Sequence, residues 1–450
     1  MNNVKFDFGN IVGAVKPMHA VNNGPVYKFA VDQRITNMDS FRAAGIPYAR
    51  NHDASFCATY GGEHIVDVAF IFTDFDKDPY DPASYDFTLT DEYLRVCEYS
   101  GAEVFYRLGS KIEHWAKKYN TLPPKDFKKW AVICEHIIRH YCYGWADGYH
   151  MNIKYWEIWN EPDLDPDDST HKRCWGGTAA QFYELFAITL DHLKDCFPEL
   201  KIGGPAVAKF DEQWCQGLVD NLGKHKPDFF SWHIYAADVA KVRKRLDSVR
   251  SFLDRNGLTE CESILNEWNY VRGWEDEEWI YSLKTEKNIK GASFIGATMI
   301  DCQKAGLDML MYYDARPGAM NGLYSSDLVC EILKGYYPFY SFNKLYGLGC
   351  CVASESDDQD VYSLAATGAD GQYAMLVHYS DNDDLQSKRV RVAFTDLPSN
   401  GPVKLEYYLL DKDHDLELVR EEIFASSNFA VYVDMPIYTT YLLKITPFEE

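Results

Sequence analysis

Up to about residue 345, short apolar runs alternate with longer stretches whose apolar residues recur every three or four positions. The short runs predict strands at Gly13–His19, Pro47–His52, Ala102–Leu108, Ile153–Asn160, Lys201–Ala206, Asp228–Tyr235, Glu262–Trp268 and Asp308–Asp314. Between them, Asp91–Tyr99, Lys125–Tyr143, Thr178–Cys196 and Val239–Asn256 have the period of helices that cover a sheet. Eight strands alternating with helices predict a (β/α)8 TIM barrel, whose site lies at the C-terminal ends of the strands. A doubly wound open sheet has a similar alternation, but no G-x-G-x-x-G follows an early strand to favour a dinucleotide fold.

The pattern then changes. Val361–Ala366, Gln372–Tyr379, Lys388–Phe394, Val403–Leu410, Phe429–Asp434 and Thr439–Ile445 are short strand-like runs with no helix between them. Turn residues at Gly368–Gly371, Asp381–Asp384 and Pro398–Pro402 separate them. This predicts an antiparallel β-sandwich over residues 348–450, behind a barrel over residues 1–347.

The chemistry concentrates at two strand ends. Tyr155–Pro162 reads as a buried strand that finishes in Asn160-Glu161, with Pro162 stopping the pairing. Glu262–Asn269 is a second short strand, carrying Glu267 near its end. As strands four and seven they stand on roughly opposite sides of the barrel. Two carboxylates facing each other across a cleft suit glycosidic cleavage, one protonating the leaving oxygen and one attacking the anomeric carbon.

Trp159-Asn160-Glu161-Pro162 and Asn266-Glu267-Trp268-Asn269 resemble the two catalytic strands of the retaining TIM-barrel glycosidase clan. Within it the chain most resembles glycoside hydrolase family 39, which includes β-xylosidases and α-L-iduronidases. Arg50-Asn51-His52-Asp53, ending strand two, the C-terminal sandwich and the overall length support the likeness. The resemblance implies Glu161 as general acid/base, Glu267 as nucleophile and Asn160 as partner of the sugar 2-hydroxyl. His233 and Tyr235 match the clan's His-x-Tyr, with Tyr235 donating to the nucleophile. Arg50 is expected either to orient the nucleophile or to form a buried ion pair. His52 and His19 stand open between sugar contact and core packing. The family's Trp-x-x-x-Asp at the end of strand eight is replaced by Leu310-Met311-Tyr312-Tyr313-Asp314, so Tyr312 or Tyr313 is left to supply a sugar platform. Glu113 is a third carboxylate expected on a loop toward the same face.

Composition narrows the reading further. Aromatic residues make up 15% of the chain, a mild sign of carbohydrate binding because pyranose C–H faces pack on rings. The formal charge of -23 argues against nucleic acid and anionic membranes as partners, and mildly against a polyanionic substrate, although a cleft can differ from the whole. The 12 cysteines are scattered without zinc spacing, and Asp74, Asp76, Asp78 and Asp81 lack the glycine and glutamate of an EF-hand. No metal or cofactor is implied. Reduced thiols, with no secretion signal seen in Met1–Ala20, predict a cytoplasmic protein. Such a location favours an exo-acting, β-xylosidase-like enzyme working on oligosaccharides or glycosides. The competing readings are an endo-acting β-glycanase, a transglycosylase, and a non-catalytic carbohydrate-binding protein on the same barrel.

Overall fold

The computed structural model describes residues 2–29, 36–54, 62–327, 330–399 and 401–448. Eight parallel strands close into a barrel: β2 (Ala20–Asn22), β3 (Tyr48–Arg50), β4 (Glu103–Leu108), β5 (Tyr155–Ile158), β6 (Lys201–Val207), β7 (Phe229–Tyr235), β8 (Glu262–Asn269) and β9 (Met309–Tyr312). The first of them begins after the expected Gly13–His19. Of that stretch, Gly13 and Ala14 end a long strand, β1 (Asn2–Ala14), which leaves the barrel altogether, and residues 15–19 connect it to β2.

The C-terminal strands are β10 (Cys350–Ser356), β11 (Val361–Gly368), β12 (Gly371–His378), β13 (Lys388–Thr395), β14 (Val403–Leu410), β15 (Asp415–Phe424), β16 (Phe429–Met435) and β17 (Thr439–Pro447). With β1 they form one sheet in the order β15-β14-β17-β12-β11-β10-β1-β13-β16. β1 pairs antiparallel with β10 and parallel with β13. Phe6, Val392, Leu405, Val433 and Ile445 share a core, so the two ends of the sheet curl over each other as a sandwich. The expected division at residues 347 and 348 therefore misses β1, which returns the first residues of the chain to the C-terminal unit.

Local chemistry explains the barrel's helices. Thr178 and Gln181 form a reciprocal capping box that starts the helix Ala179–Cys196. Asp126 caps Phe127–Tyr143, which ends at Gly144 with φ 73°. Leu364, Met375, Val377 and Leu442 of the sandwich are buried in the same cluster as the barrel's helical layer, so the two units share a core.

Candidate active site

The end of β5 is bent into the cleft by backbone strain. Trp159 and Glu161 hold left-handed φ values of 75° and 49°, a conformation that costs about 1–3 kcal/mol each. Neighbouring strands hold them there: the Trp159 N–H donates to the Leu108 carbonyl at 2.7 Å and the Glu161 N–H to the Ala206 carbonyl at 2.9 Å. Gly109 makes room, because a side chain at that position would meet the Trp159 backbone at 3.1 Å.

Glu161, His233 and Glu267 meet at the mouth of the barrel, one oxygen or nitrogen from each lying within 4.8 Å of the others. His233 Nδ1 is 2.8 Å from Glu161 Oε1 and 3.5 Å from Glu267 Oε2. The Tyr235 hydroxyl donates to Glu267 Oε2 at 3.0 Å, and the Cys174 thiol to Glu161 Oε2 at 3.7 Å. Beneath them, Arg50 reaches Glu267 Oε1 at 2.8 Å, Glu157 Oε2 at 2.7 Å, Asn22 Oδ1 at 3.0 Å and Asn160 Oδ1 at 2.7 Å. Its bond to Oδ1 fixes the Asn160 amide so that the NH2 remains as a donor for a ligand.

Burial raises the Glu267 carboxyl above its ordinary value, opposed by the cations of His233 and Arg50 and reinforced by Glu161. Burial also works against a charged His233, yet Glu267 and Glu161 hold that imidazole above its usual value. The Glu267 carboxylate and the His233 imidazole thus each favour the other's charged form. His52 is the opposite case: burial holds it well below the ordinary imidazole value, so it faces the cleft as a neutral ring.

A cavity of about 560 Å³ opens above the cluster, lined by His52, Asn160, Glu161, Tyr235, Glu267 and Tyr313 among others. Tyr313 donates to Asp53 Oδ2 at 2.9 Å, while Tyr312 turns into the core against Trp268 and Phe339. Of the two tyrosines, the second is thus the one on the cleft. Trp274, which no motif singled out, also lines the cavity and packs on Tyr235 at 5.1 Å.

Some expected positions lie elsewhere. His19 precedes β2 at the far end of the barrel, bonded to the Gly45 carbonyl at 3.1 Å and packed on Phe342 and Tyr346. Burial lowers its imidazole to about 4, and it is a core residue. Arg50 and His233 are buried beneath the cavity, so each acts on a glutamate instead of touching a ligand directly. Glu113 is folded away, its carboxylate accepting the N–H groups of Tyr119, Asn120 and Thr121. Glu157 was overlooked, although a lone acid inside an apolar strand was its signal. It pairs with Arg50 and accepts from Ser231 at 2.6 Å.

Among the described residues a second ligand-type group, Glu135, His192 and Cys196, joins two helices. There Glu135 already pairs with Arg139 at 2.6 Å and His192 at 2.7 Å, which makes it an interhelical charge link.

Residues 60–253 match the profile of Glycosyl hydrolases family 39. The chain is similar to a β-xylosidase of Caldicellulosiruptor saccharolyticus, 31% identical over 125 residues, which is 27% of this chain and 24% of that protein. A β-xylosidase of Geobacillus stearothermophilus is 28% identical over 168 residues, 36% of this chain and 30% of the relative. Those alignments span about a quarter to a third of the relatives' length. Likeness of fold extends over everything: a glucosidase from Croceicoccus marinus has a TM-score of 0.80 at 22% identity, covering 100% of this chain and 99% of that one. A monomeric β-xylosidase from Caulobacter crescentus CB15 has a TM-score of 0.71 at 14% identity, covering 100% of both. The matched residues include the Trp159-Asn160-Glu161-Pro162 strand end, and the fold is shared along its whole length with those two solved structures.

Proposed function

We propose that the protein is a retaining, exo-acting β-glycoside hydrolase of β-xylosidase type, with Glu161 as acid/base and Glu267 as nucleophile. The observation that carries this reading is the approach of the two carboxylates, one oxygen of each within 4.8 Å of the other. Retaining enzymes hold their carboxyl groups about 5–5.5 Å apart, whereas inverting ones leave about 6.5–9.5 Å for a water. Glu161 gives its proton to the glycosidic oxygen as Glu267 attacks the anomeric carbon and forms a glycosyl-enzyme. Glu161 then takes a proton from the water that releases the sugar. The contacts of Tyr235, Arg50 and His233 stabilise Glu267 as an anion before attack. The compact cavity supports exo action on short glycosides. Among the described residues the free thiols, all but Cys350 buried or half-buried, support a reducing compartment, and subcellular fractionation tests a cytoplasmic location.

Azide separates the two glutamates. On an activated aryl β-glycoside, Glu161→Ala accumulates the glycosyl-enzyme, and azide restores turnover with a product of retained configuration. Azide with Glu267→Ala gives the inverted glycosyl azide. The products appearing the other way round would reverse the assignment, and full activity in both variants would move the site elsewhere. Aryl xylosides, glucosides and arabinosides in parallel decide the sugar, since a glucosidase and β-xylosidases share this fold.

A further inference from the structure

The cleft is electrically lopsided. On the Glu267 side its wall is His52, Tyr313 and Trp274, without a charged cation. On the Glu161 side it is lined by His114, Arg173, Lys209 and Arg245, in a chain whose formal charge is -23. These four come from different parts of the barrel: His114 follows β4, Arg173 follows β5, Lys209 follows β6, and Arg245 lies on the helix Val239–Arg255 after β7.

Two of them have no anionic partner. Among the described residues no carboxylate lies within 4.0 Å of the Lys209 ammonium or the Arg245 guanidinium. Arg245 is half-buried and donates only a 3.5 Å contact to the His233 carbonyl. Asp163, the acid that acts on Arg245 electrostatically, spends its oxygens on the N–H groups of Ala208 and Lys209 at 2.7 and 2.9 Å. Arg173 is neutralised by Asp165 at 2.6 Å. Burial first, then Arg173, Lys111 and Lys118, hold the His114 imidazole below its ordinary value, so the uncompensated charge on this wall is that of Lys209 and Arg245. Elsewhere around the mouth the cations are matched, since Lys111 and Arg316 both pair with Glu63 and Asp53.

A half-buried arginine without a counter-ion is desolvated with little return unless a ligand supplies the charge. The position says which part of the ligand that is. A general acid must face the glycosidic oxygen, so side chains around Glu161 flank the leaving group, and Cys174, next to Arg173, touches Glu161 at 3.7 Å. We infer that the leaving-group side of the cleft is a subsite for an anionic aglycone, a sugar carrying a hexuronate carboxylate or a sulfate ester, held by Lys209 and Arg245. The inference rests on the proposed role of Glu161 for its orientation, and on the unpartnered cations for its chemistry.

Binding to the Glu267→Ala variant, which does not turn substrate over, tests it directly. The probes are three aryl β-xylosides that differ only in a 3-substituent on the ring: carboxylate, carboxamide and sulfonate. The carboxylate is expected to bind on the order of tenfold tighter than the carboxamide, the gain from a hydrogen bond to a charged group. Added 0.5 M NaCl should shrink that advantage, and Lys209→Gln on the same background should remove most of it. Lys209 is exposed, so its replacement leaves the fold intact. Tighter binding of the sulfonate than of the carboxylate would point to sulfated sugars, and the reverse to hexuronates. Equal binding of acid and amide, or a preference untouched by Lys209→Gln, would overturn the subsite. Hydrolysis of the carboxamide by the parent enzyme is measured separately. If no glycoside is cleaved while the charge preference persists, the hydrolase reading fails and the anion subsite stands.

Discussion

The two ends of the barrel are built from the same inward-facing rows. At the lower end Ala20, Tyr155, Phe229 and Ile264 join Phe105, Met309 and Met311 in an apolar plug. Two residues further along four of those strands, on the same face, stand Asn22, Glu157, Ser231 and Asn266. All four are fully buried, and they surround Arg50 and the glutamates instead of packing as hydrocarbon. One step of the strand period thus separates a layer that only stabilises from a layer that positions charge. The lower layer draws on apolar burial, and the upper one is stable only because each charge has a partner.

The sharpest way to break this contrast is to damage each layer once. Phe105→Ala should cost about 3–5 kcal/mol through a cavity, and Arg50→Met a similar amount, about 3–5 kcal/mol, by stranding Glu157 and Glu267 without a cation. Denaturant unfolding measures both. The folded fraction of Phe105→Ala should retain its activity. That of Arg50→Met should lose nearly all of it, with the acidic limb of its pH profile moved upward because Glu267 has lost a charge that favours ionisation. Equal activity per folded molecule in the two variants would erase the distinction between the layers.

Glu286 sharpens the same point from outside the barrel. It is fully buried, neither carboxylate oxygen has a hydrogen-bond partner, and burial raises it to about 9, with Lys287 opposing. The folded protein therefore keeps a proton that the unfolded chain releases near pH 4.5. Stability is full below that value and falls as pH rises toward about 9. Glu286→Gln should flatten this fall and stabilise the protein at pH 8 by roughly 1–3 kcal/mol. A melting temperature that keeps its full pH dependence in the variant would show that Glu286 has found a partner.

Legibility in the sequence follows the same divide. Strands β4 to β8 start within a residue or two of their expected positions because continuous apolar runs and strand-end motifs mark them. β1 is not legible, since its pairing with β10 and β13 depends on residues more than 330 positions away. β15 buries no apolar face: Glu417, Arg420, Glu421 and Glu422 interrupt its apolar residues, and Leu418, Val419 and Ile423 stay exposed, on an edge whose charges disfavour further pairing. Glu161 and Glu267 were visible because the motif and the chemistry sit on one strand end. Arg173, Lys209 and Arg245 were not, because three separate segments bring them together and no local spacing records it.

The finest test concerns Tyr235, which has two roles in the structure. Its hydroxyl donates to Glu267 Oε2 at 3.0 Å, and its ring supports Trp274 at 5.1 Å. Tyr235→Phe removes the first and keeps the second. The hydroxyl favours the ionised carboxylate, so its loss should add to the upward push of burial on Glu267. Attack needs the anion, and the acidic limb of kcat/KM should therefore move up by somewhat less than about one pH unit. At low pH the rate falls about fivefold, matching roughly 1 kcal/mol for one hydrogen bond, and at high pH the deficit narrows. A uniform loss at every pH would mean that the hydroxyl orients Glu267 without affecting its ionisation. No loss at any pH would assign Tyr235 to the aromatic wall, leaving Arg50 and His233 as the groups that keep Glu267 charged.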